Sequence, residues 1–117
     1  MAHLLVIDDQ DTFLDFLGRT LEIMGFRVKT AHGGEEGIEI LQSGYDFDLV
    51  ITDILMSHVD GIAVAEYIRH SDKAGIPIVG ITGNTGMANH KLFNSILIKP
   101  FRVKELLAVI KSLIEDP

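Results

Sequence analysis

Short apolar runs alternate with amphipathic stretches along the chain. Four runs are continuous, at residues 4–7, 49–52, 78–81 and 96–98, whereas residues 26–30 alternate apolar with basic side chains. Continuous runs are typical of strands that are buried on both faces, and the period of two indicates a half-exposed edge strand. The pattern predicts an α/β protein in which five parallel strands carry helices on both faces.

Helical periodicity follows most of these strands. The first predicted helix has one apolar face with spacings of three and four, formed by Leu14, Leu17, Leu21 and Met24. Gly25 indicates its end, and further helices are predicted over residues 35–41, from residue 60 onward and over residues 103–114. Residues 83–94 are polar and contain glycine, so any helix there should be short or irregular.

Composition narrows the functional classes. A chain of 117 residues is expected to form one domain, and its net charge of −7 disfavours binding to nucleic acid or to anionic lipid. The sequence has no cysteine, which excludes disulfide and thiolate chemistry. No apolar run is long enough for a signal peptide or a membrane span, so we expect a cytoplasmic location.

Polar side chains follow four of the apolar runs, and these are Asp8 with Asp9, Asp53, Thr82 and Lys99. The carboxyl ends of parallel strands meet at one edge of a sheet, so the five side chains should lie together. Three neighbouring carboxylates do not all ionise cheaply unless a cation sits among them, and Mg²⁺ suits such oxygen ligands. Asp53 could then form an aspartyl phosphate, with Mg²⁺, Lys99 and Thr82 supplying the positioning and the charge neutralisation.

Each of these residues also fits a structural role when it is considered alone. Asp8 or Asp9 could cap the helix that starts near Asp11, and Asp53 could be a turn residue. A threonine after a strand and a lysine before a proline are often structural. The joint pattern of five complementary groups at one sheet edge favours the functional interpretation.

The whole chain resembles the receiver domain of bacterial two-component response regulators, the CheY-like family. The motifs that carry the resemblance are Val6-Ile7-Asp8-Asp9, Ile51-Thr52-Asp53-Ile54-Leu55-Met56 followed by Asp60-Gly61, Ile81-Thr82-Gly83 and Ile98-Lys99-Pro100-Phe101. The resemblance implies a flavodoxin-like, doubly wound sheet with strand order 2-1-3-4-5. It also implies that residues 1–117 are a single receiver domain, and we expect no output domain within this chain.

The resemblance assigns a role to each residue of the sheet edge. Asp53 would accept a phosphoryl group from a phosphohistidine of a sensor histidine kinase or a histidine phosphotransfer protein, and Thr82 and Lys99 would bind the phosphoryl oxygens. The Mg²⁺ ligands would be Asp8, Asp9, Asp53 and the backbone carbonyl of Leu55. The domain would assist its own phosphorylation and dephosphorylation without being a turnover enzyme, and phosphorylation would alter its binding to a downstream protein.

The resemblance also implies where partners dock and which side chains border the phosphoryl group. The donor should contact the first helix, over residues 10–17, and residues 100–102, with Phe13 as a candidate contact and Leu14 expected to pack inward. Leu55 and Asn84 should tune the lifetime of the phosphorylated state. The peptide bond between Lys99 and Pro100 should be cis.

The sequence departs from the family pattern in three places. Ser57 stands where proline is usual, so that loop is expected to be less rigid, and Ile96 replaces an aromatic residue that moves when Thr82 binds phosphate. The interval between Thr82 and Lys99 is also short. We therefore expect residues 83–94 to order or shift around the phosphoryl group instead.

Three other functions stay open. The chain could carry phosphoryl groups between histidines without any switch, or it could be a pseudo-receiver that binds partners without phosphorylation. A hydrolase acting through an aspartyl phosphate is a further alternative, although the chain has no spare length for a cap domain or a substrate pocket.

Overall fold

A computed structural model describes residues 1–114 and shows strands alternating with helices. Five strands occur within these residues, namely β1 (His3–Ile7), β2 (Arg27–Ala31), β3 (Leu49–Asp53), β4 (Ile78–Thr82) and β5 (Ser95–Ile98). The same residues form four α-helices, namely α1 (Asp11–Ile23), α2 (Gly34–Gln42), α3 (Gly61–Arg69) and α4 (Val103–Leu113). None of these helices combines the length and the apolar character that crossing a membrane requires.

The strands form one parallel sheet in the order β2-β1-β3-β4-β5, which confirms the predicted order. The register aligns the carboxyl ends of neighbouring strands, because Ile7 pairs with Thr52 and Asp53 pairs with Ile81. The predicted edge strand β2 is only partly buried, as its alternating pattern indicates. One edge of the sheet therefore collects the residues that follow β1, β3, β4 and β5.

Helices cover both faces of the sheet. In β1, Leu4 and Val6 belong to one core cluster, together with residues of α1 and α4. Leu5 and Ile7 belong to a second cluster, together with residues of α2 and α3. Because successive side chains of a strand point to opposite faces, a strand buried on both faces needs a continuous apolar run, which is the pattern seen in the sequence.

Helix α1 ends close to the predicted position. Gly25 has φ of +100°, a conformation that suits glycine after a helix. Leu14, Leu17 and Leu21 are buried as predicted, but Met24 is 47% exposed. The prediction that Met24 extends the buried face is wrong, because this residue is the C-cap and lies beyond the last helical turn.

The connection between β4 and β5 contains one 3₁₀ turn, Thr85–Met87, in agreement with the expected short or irregular helix. Its far end is fixed by the guanidinium group of Arg69, at the end of α3. Arg69 donates to the Leu92 carbonyl at 3.2 and 3.0 Å and to Asn94 Oδ1 at 2.7 Å. It also donates to the carbonyls of Ala74 and Ile76 at 2.7 and 2.8 Å. These bonds join the end of α3 to residues 74–76 and to residues 92–94.

We expect Arg69→Met to lower the free energy of unfolding by about 2–3 kcal/mol, because it leaves several carbonyls without their donor. Arg69→Lys should recover part of the loss, since one ammonium cannot reach all the acceptors. Arg19→Met is the matched control: Arg19 forms an exposed pair with Asp15, so its removal should cost at most about 0.5 kcal/mol. Urea unfolding of the three variants measures these effects, and equal losses for Arg69→Met and Arg19→Met would contradict the assignment.

Candidate functional site

The carboxyl edge of the sheet brings three aspartates together. Asp8 and Asp9 directly follow β1, and Asp53 is the last residue of the adjacent strand β3. One carboxylate oxygen from each of them lies within 4.8 Å of the other two. This geometry confirms the predicted proximity of the three side chains, which are called the acidic cluster below.

Few hydrogen-bond donors contact the Asp8 carboxylate of the acidic cluster. Asp8 is 1% exposed, and its Oδ1 accepts from the Gln10 backbone N–H at 2.8 Å. Its Oδ2 is buried and has no partner within residues 1–114. The N-cap of α1 is Gln10, so the structural alternative in which Asp8 or Asp9 caps this helix is wrong. The two acids are left free to act as ligands.

Ser57 supplies the donors for Asp9. Its backbone N–H and its hydroxyl both donate to Asp9 Oδ2, at 3.0 and 3.1 Å. A proline at this position has neither donor. Ser57 therefore links the loop after β3 to the acidic cluster through Asp9. The sequence does not predict this contact.

Burial opposes the ionisation of two members of the acidic cluster, Asp8 and Asp53. Burial raises the pKa of the Asp8 carboxyl, and the nearby Asp53 carboxylate raises it further. The hydrogen bond from the Gln10 backbone N–H acts in the opposite direction. Burial also raises the pKa of Asp53, although the Lys99 ammonium acts in the opposite direction. Ionising all three acids is therefore costly without an added positive charge. The unpartnered Asp8 oxygen and the all-oxygen donor set fit a hard divalent cation such as Mg²⁺.

Thr82 and Lys99 complete the predicted set of five. Thr82 is 1% exposed at the end of β4, and its Oγ1 accepts from the Asn84 backbone N–H at 3.1 Å. Lys99 follows β5, and its backbone N–H donates to the Thr82 carbonyl at 2.8 Å. The Lys99 ammonium lies 3.6 Å from Asp53 Oδ2. The structure thus brings a hydroxyl and an ammonium to the same edge as the acidic cluster.

The loop after β3 leads into α3, and the first residue of this helix, Gly61, lies close to the Asp53 backbone. Asp60 caps α3 by accepting from the Ala63 backbone N–H at 2.9 Å. A Cβ at Gly61 would lie 2.3 Å from the Asp53 carbonyl oxygen, so only glycine allows this close approach. The Leu55 side chain, which this loop carries, is 55% exposed.

The residues beside the site separate into packing and surface positions. Leu14 is 2% exposed in the core, which confirms its predicted inward packing. Phe13 is only partly buried, and its ring centroid lies 4.6 Å from the Lys99 ammonium. Ile96 packs on the other face of the sheet from Phe13, against the core beneath α2 and α3. The peptide bond between Lys99 and Pro100 is cis, as the resemblance implied.

Comparison with known proteins identifies a family. Residues 4–111 match the family model described as the response regulator receiver domain. The chemotaxis protein CheY4 of Vibrio cholerae is 26% identical and superposes with a TM-score of 0.89, covering 97% of this chain and 99% of that one. The response regulator TrrA of Thermotoga maritima, solved in complex with Mg²⁺ and BeF, is 31% identical with a TM-score of 0.88, covering 97% and 100%.

Curated relatives are longer proteins. The probable transcriptional regulator ycf27 of Cyanidium caldarium is 32% identical over 117 residues, which cover 96% of this chain and 46% of the relative. The response regulator SaeR of Staphylococcus aureus is 29% identical over 121 residues, with 97% and 51% covered. The chain therefore spans about half the length of the curated relatives that it matches.

In metal-free protein we expect Asp8→Asn to raise the free energy of unfolding at neutral pH by about 1 kcal/mol. The substitution replaces a buried carboxyl that is costly to ionise by a neutral amide that can donate to the acidic cluster. Because the pKa of Asp8 is higher in the folded than in the unfolded chain, ionisation costs stability at high pH. The gain should therefore vanish as the pH falls below the ordinary value of 3.8.

Denaturant unfolding in the presence of a chelator, at neutral and at acidic pH, measures this effect. The control is Asp46→Asn, which removes an exposed carboxyl that precedes β3, at the opposite end of this strand from Asp53, and should leave stability nearly unchanged. A loss of stability on Asp8→Asn at neutral pH would show that the carboxylate is not destabilised by its surroundings.

Proposed function

The chain belongs to the response regulator receiver domain family, and on that premise we propose that Asp53 is a phosphoacceptor in two-component signal transduction. The donor is a phosphohistidine of a sensor histidine kinase or of a histidine phosphotransfer protein. The observation that carries the proposal is the acidic cluster with the Lys99 ammonium 3.6 Å from Asp53, all at one sheet edge. We further propose that the reaction takes place in the cytoplasm.

The proposed reaction is a direct phosphoryl transfer. A carboxylate oxygen of Asp53 attacks phosphorus in line with the departing imidazole nitrogen, so a P–O bond forms while the P–N bond breaks. The electron pair of the P–N bond goes to the imidazole nitrogen, and Asp53 becomes an acyl phosphate. Asp53 is 7% exposed, so a donor can approach it only through the small part of its surface that is open to solvent.

The surrounding residues supply positive charge and hydrogen bonds in this proposal. Asp8, Asp9, Asp53 and the Leu55 carbonyl would hold Mg²⁺, and the bound ion would neutralise charge on the acids and on the phosphoryl oxygens. The Lys99 ammonium and the Thr82 hydroxyl would each donate to a phosphoryl oxygen. The Lys99 ammonium is already beside Asp53, so its charge needs little repositioning during transfer.

The surface beside the site suits a protein donor. Phe13, Phe16 and residues 100–101 line an open cavity that Lys99 also lines, and Phe16 is 54% exposed. We propose that the carrier of the donor histidine rests on this surface. The downstream partner stays unnamed, and the greater length of the curated relatives leaves the activity of a longer protein outside this proposal.

Two of the alternatives, the pseudo-receiver and the hydrolase, fit the site less well. A pseudo-receiver does not need the five-residue set, yet all five groups lie at one edge, with Asp8 Oδ2 lacking a partner within residues 1–114. An aspartyl-phosphate hydrolase needs a cap domain or a substrate pocket, whereas every strand described within residues 1–114 belongs to one sheet and the helices lie around it. We therefore favour a phosphoacceptor that is not a turnover enzyme.

Acetyl phosphate with Mg²⁺ tests the proposal directly. We expect intact-mass measurement to show one phosphoryl adduct on the parent and on Asp46→Asn, and none on Asp53→Asn, because only the last lacks the nucleophile. An unmodified parent would favour the pseudo-receiver. Rapid turnover of unrelated phosphate esters would favour the hydrolase.

We propose that residues 83–94 read out phosphorylation. The Asn84 backbone N–H donates to Thr82 Oγ1, and Asn84 Oδ1 accepts from the Gly86 backbone N–H at 2.9 Å, so the Thr82 hydroxyl is linked to the 3₁₀ turn. Reorientation of the hydroxyl toward a phosphoryl oxygen would disturb these bonds. Arg69 holds the other end of the segment, which confines the change to the part near the site. We also propose that the side chains of Leu55 and Asn84, each two positions after Asp53 and Thr82, border the phosphoryl group and tune the lifetime of the phosphorylated state.

Amide hydrogen exchange with and without Mg²⁺ and beryllofluoride tests this proposal. We expect protection to change over residues 84–91 and to stay constant at Asn94, whose N–H bonds to the Ile78 carbonyl at 2.8 Å. Asp53→Asn treated in the same way is the control and should show no change. Unaltered protection throughout residues 83–94 in the parent would refute the readout while leaving phosphorylation intact.

A further inference from the structure

The Lys99 ammonium lies near both a carboxylate and an aromatic ring. Its Nζ lies 3.6 Å from Asp53 Oδ2 and 4.6 Å from the centroid of the Phe13 ring. The first distance exceeds the length of about 2.7–2.9 Å that is typical of a hydrogen bond between an ammonium and a carboxylate. The ammonium therefore forms a loose ion pair with Asp53 and no short hydrogen bond, and the aromatic ring is a further contact.

The Phe13 ring is itself held in place. Phe13 lies in the first turn of α1, and its ring meets the Phe101 ring nearly edge to face, with centroids 6.4 Å apart and planes inclined by 88°. Both rings pack partly against the core beneath α1 and α4. A phenylalanine ring that is fixed from two sides presents a defined face to the cation.

We infer that Phe13 is a positioning residue that holds the Lys99 ammonium beside Asp53 by a cation–π contact. An aromatic face attracts a cation but cannot accept its proton or neutralise its charge. A carboxylate in the same place would form an ion pair that competes with a phosphoryl oxygen. The ring thus keeps the ammonium near the site with its charge and its N–H donors available.

This role matters because the lysine side chain is long and flexible. The Lys99 side chain is 31% exposed, so without the ring its ammonium would exchange between the site and solvent. A group that must be repositioned at each encounter stabilises transferred charge less well than one already in place. The inference rests on the proposed function, since positioning of Lys99 has a consequence only if Asp53 accepts a phosphoryl group.

Two measurements on the whole chain test the inference. In the proton spectrum, the ring current of Phe13 should move the Lys99 Cε protons upfield in the parent and in Phe13→Tyr, and this shift should be lost in Phe13→Leu. With acetyl phosphate and Mg²⁺, Phe13→Leu should be phosphorylated about fivefold more slowly than the parent, and Phe13→Tyr should react nearly as fast.

Tyr45→Leu is the matched control. The Tyr45 ring lies 5.4 Å from the ammonium of Lys29, so this substitution removes a cation–π contact that involves none of the five site residues. It should leave the phosphorylation rate and the Lys99 resonance unchanged.

The outcomes separate the inference from the proposed function. A parent that reacts while Phe13→Leu reacts equally fast, or a parent whose Lys99 Cε protons show no upfield shift, would overturn the role of Phe13 alone. A parent that takes up no phosphoryl group would overturn the proposed function and this role with it.

Discussion

Electrostatic repulsion among three carboxylates is the constraint around which this site is built. Asp8, Asp9 and Asp53 lie within 4.8 Å of one another, and two of them are almost fully buried. Burial raises the pKa of Asp8 and of Asp53, and the nearby Lys99 ammonium only partly offsets this rise. A site that is costly in its ionised state gains most from binding a cation, so the repulsion itself favours magnesium.

The parallel sheet is what imposes this constraint. Strands β1 and β3 are neighbours in register, so residues that follow them must share one edge. The two apolar layers on the faces of the sheet offset the cost of gathering the acids. Local contacts then adjust each group: Ser57 holds Asp9, the Asn84 amide holds the Thr82 hydroxyl, and the Phe13 ring contacts Lys99. The function proposed for the edge depends on charge being concentrated there and only partly balanced.

The sequence predicts the parts of this arrangement that follow from periodicity and from position after a strand. Apolar runs identify the strands, and the strand order came from the family resemblance that the motifs carry. The proximity of Asp8 and Asp53 follows from the parallel sheet, because every strand end lies on the same edge. The end of α1 at Gly25 and the short, irregular helix after Thr82 were also predicted, from the local residue types alone.

Contacts between residues far apart in the sequence were not predictable in this way. The bond from Ser57 to Asp9 spans 48 positions, and that from Arg69 to Asn94 spans 25. Each depends on a side-chain conformation that periodicity does not specify. The exposure of Met24 was missed for a different reason, because the apolar spacing continues one residue past the point where the helix ends.

Calorimetric titration of Mg²⁺ into the metal-free protein tests most directly whether the three carboxylates share one ion. We expect one Mg²⁺ ion to bind per chain. Its affinity should fall about tenfold or more in Asp8→Ala and in Asp9→Ala. Asp46→Ala, which removes an exposed carboxyl, should bind like the parent. Equal affinity in the parent and in both cluster variants, or no binding to the parent, would contradict the central claim.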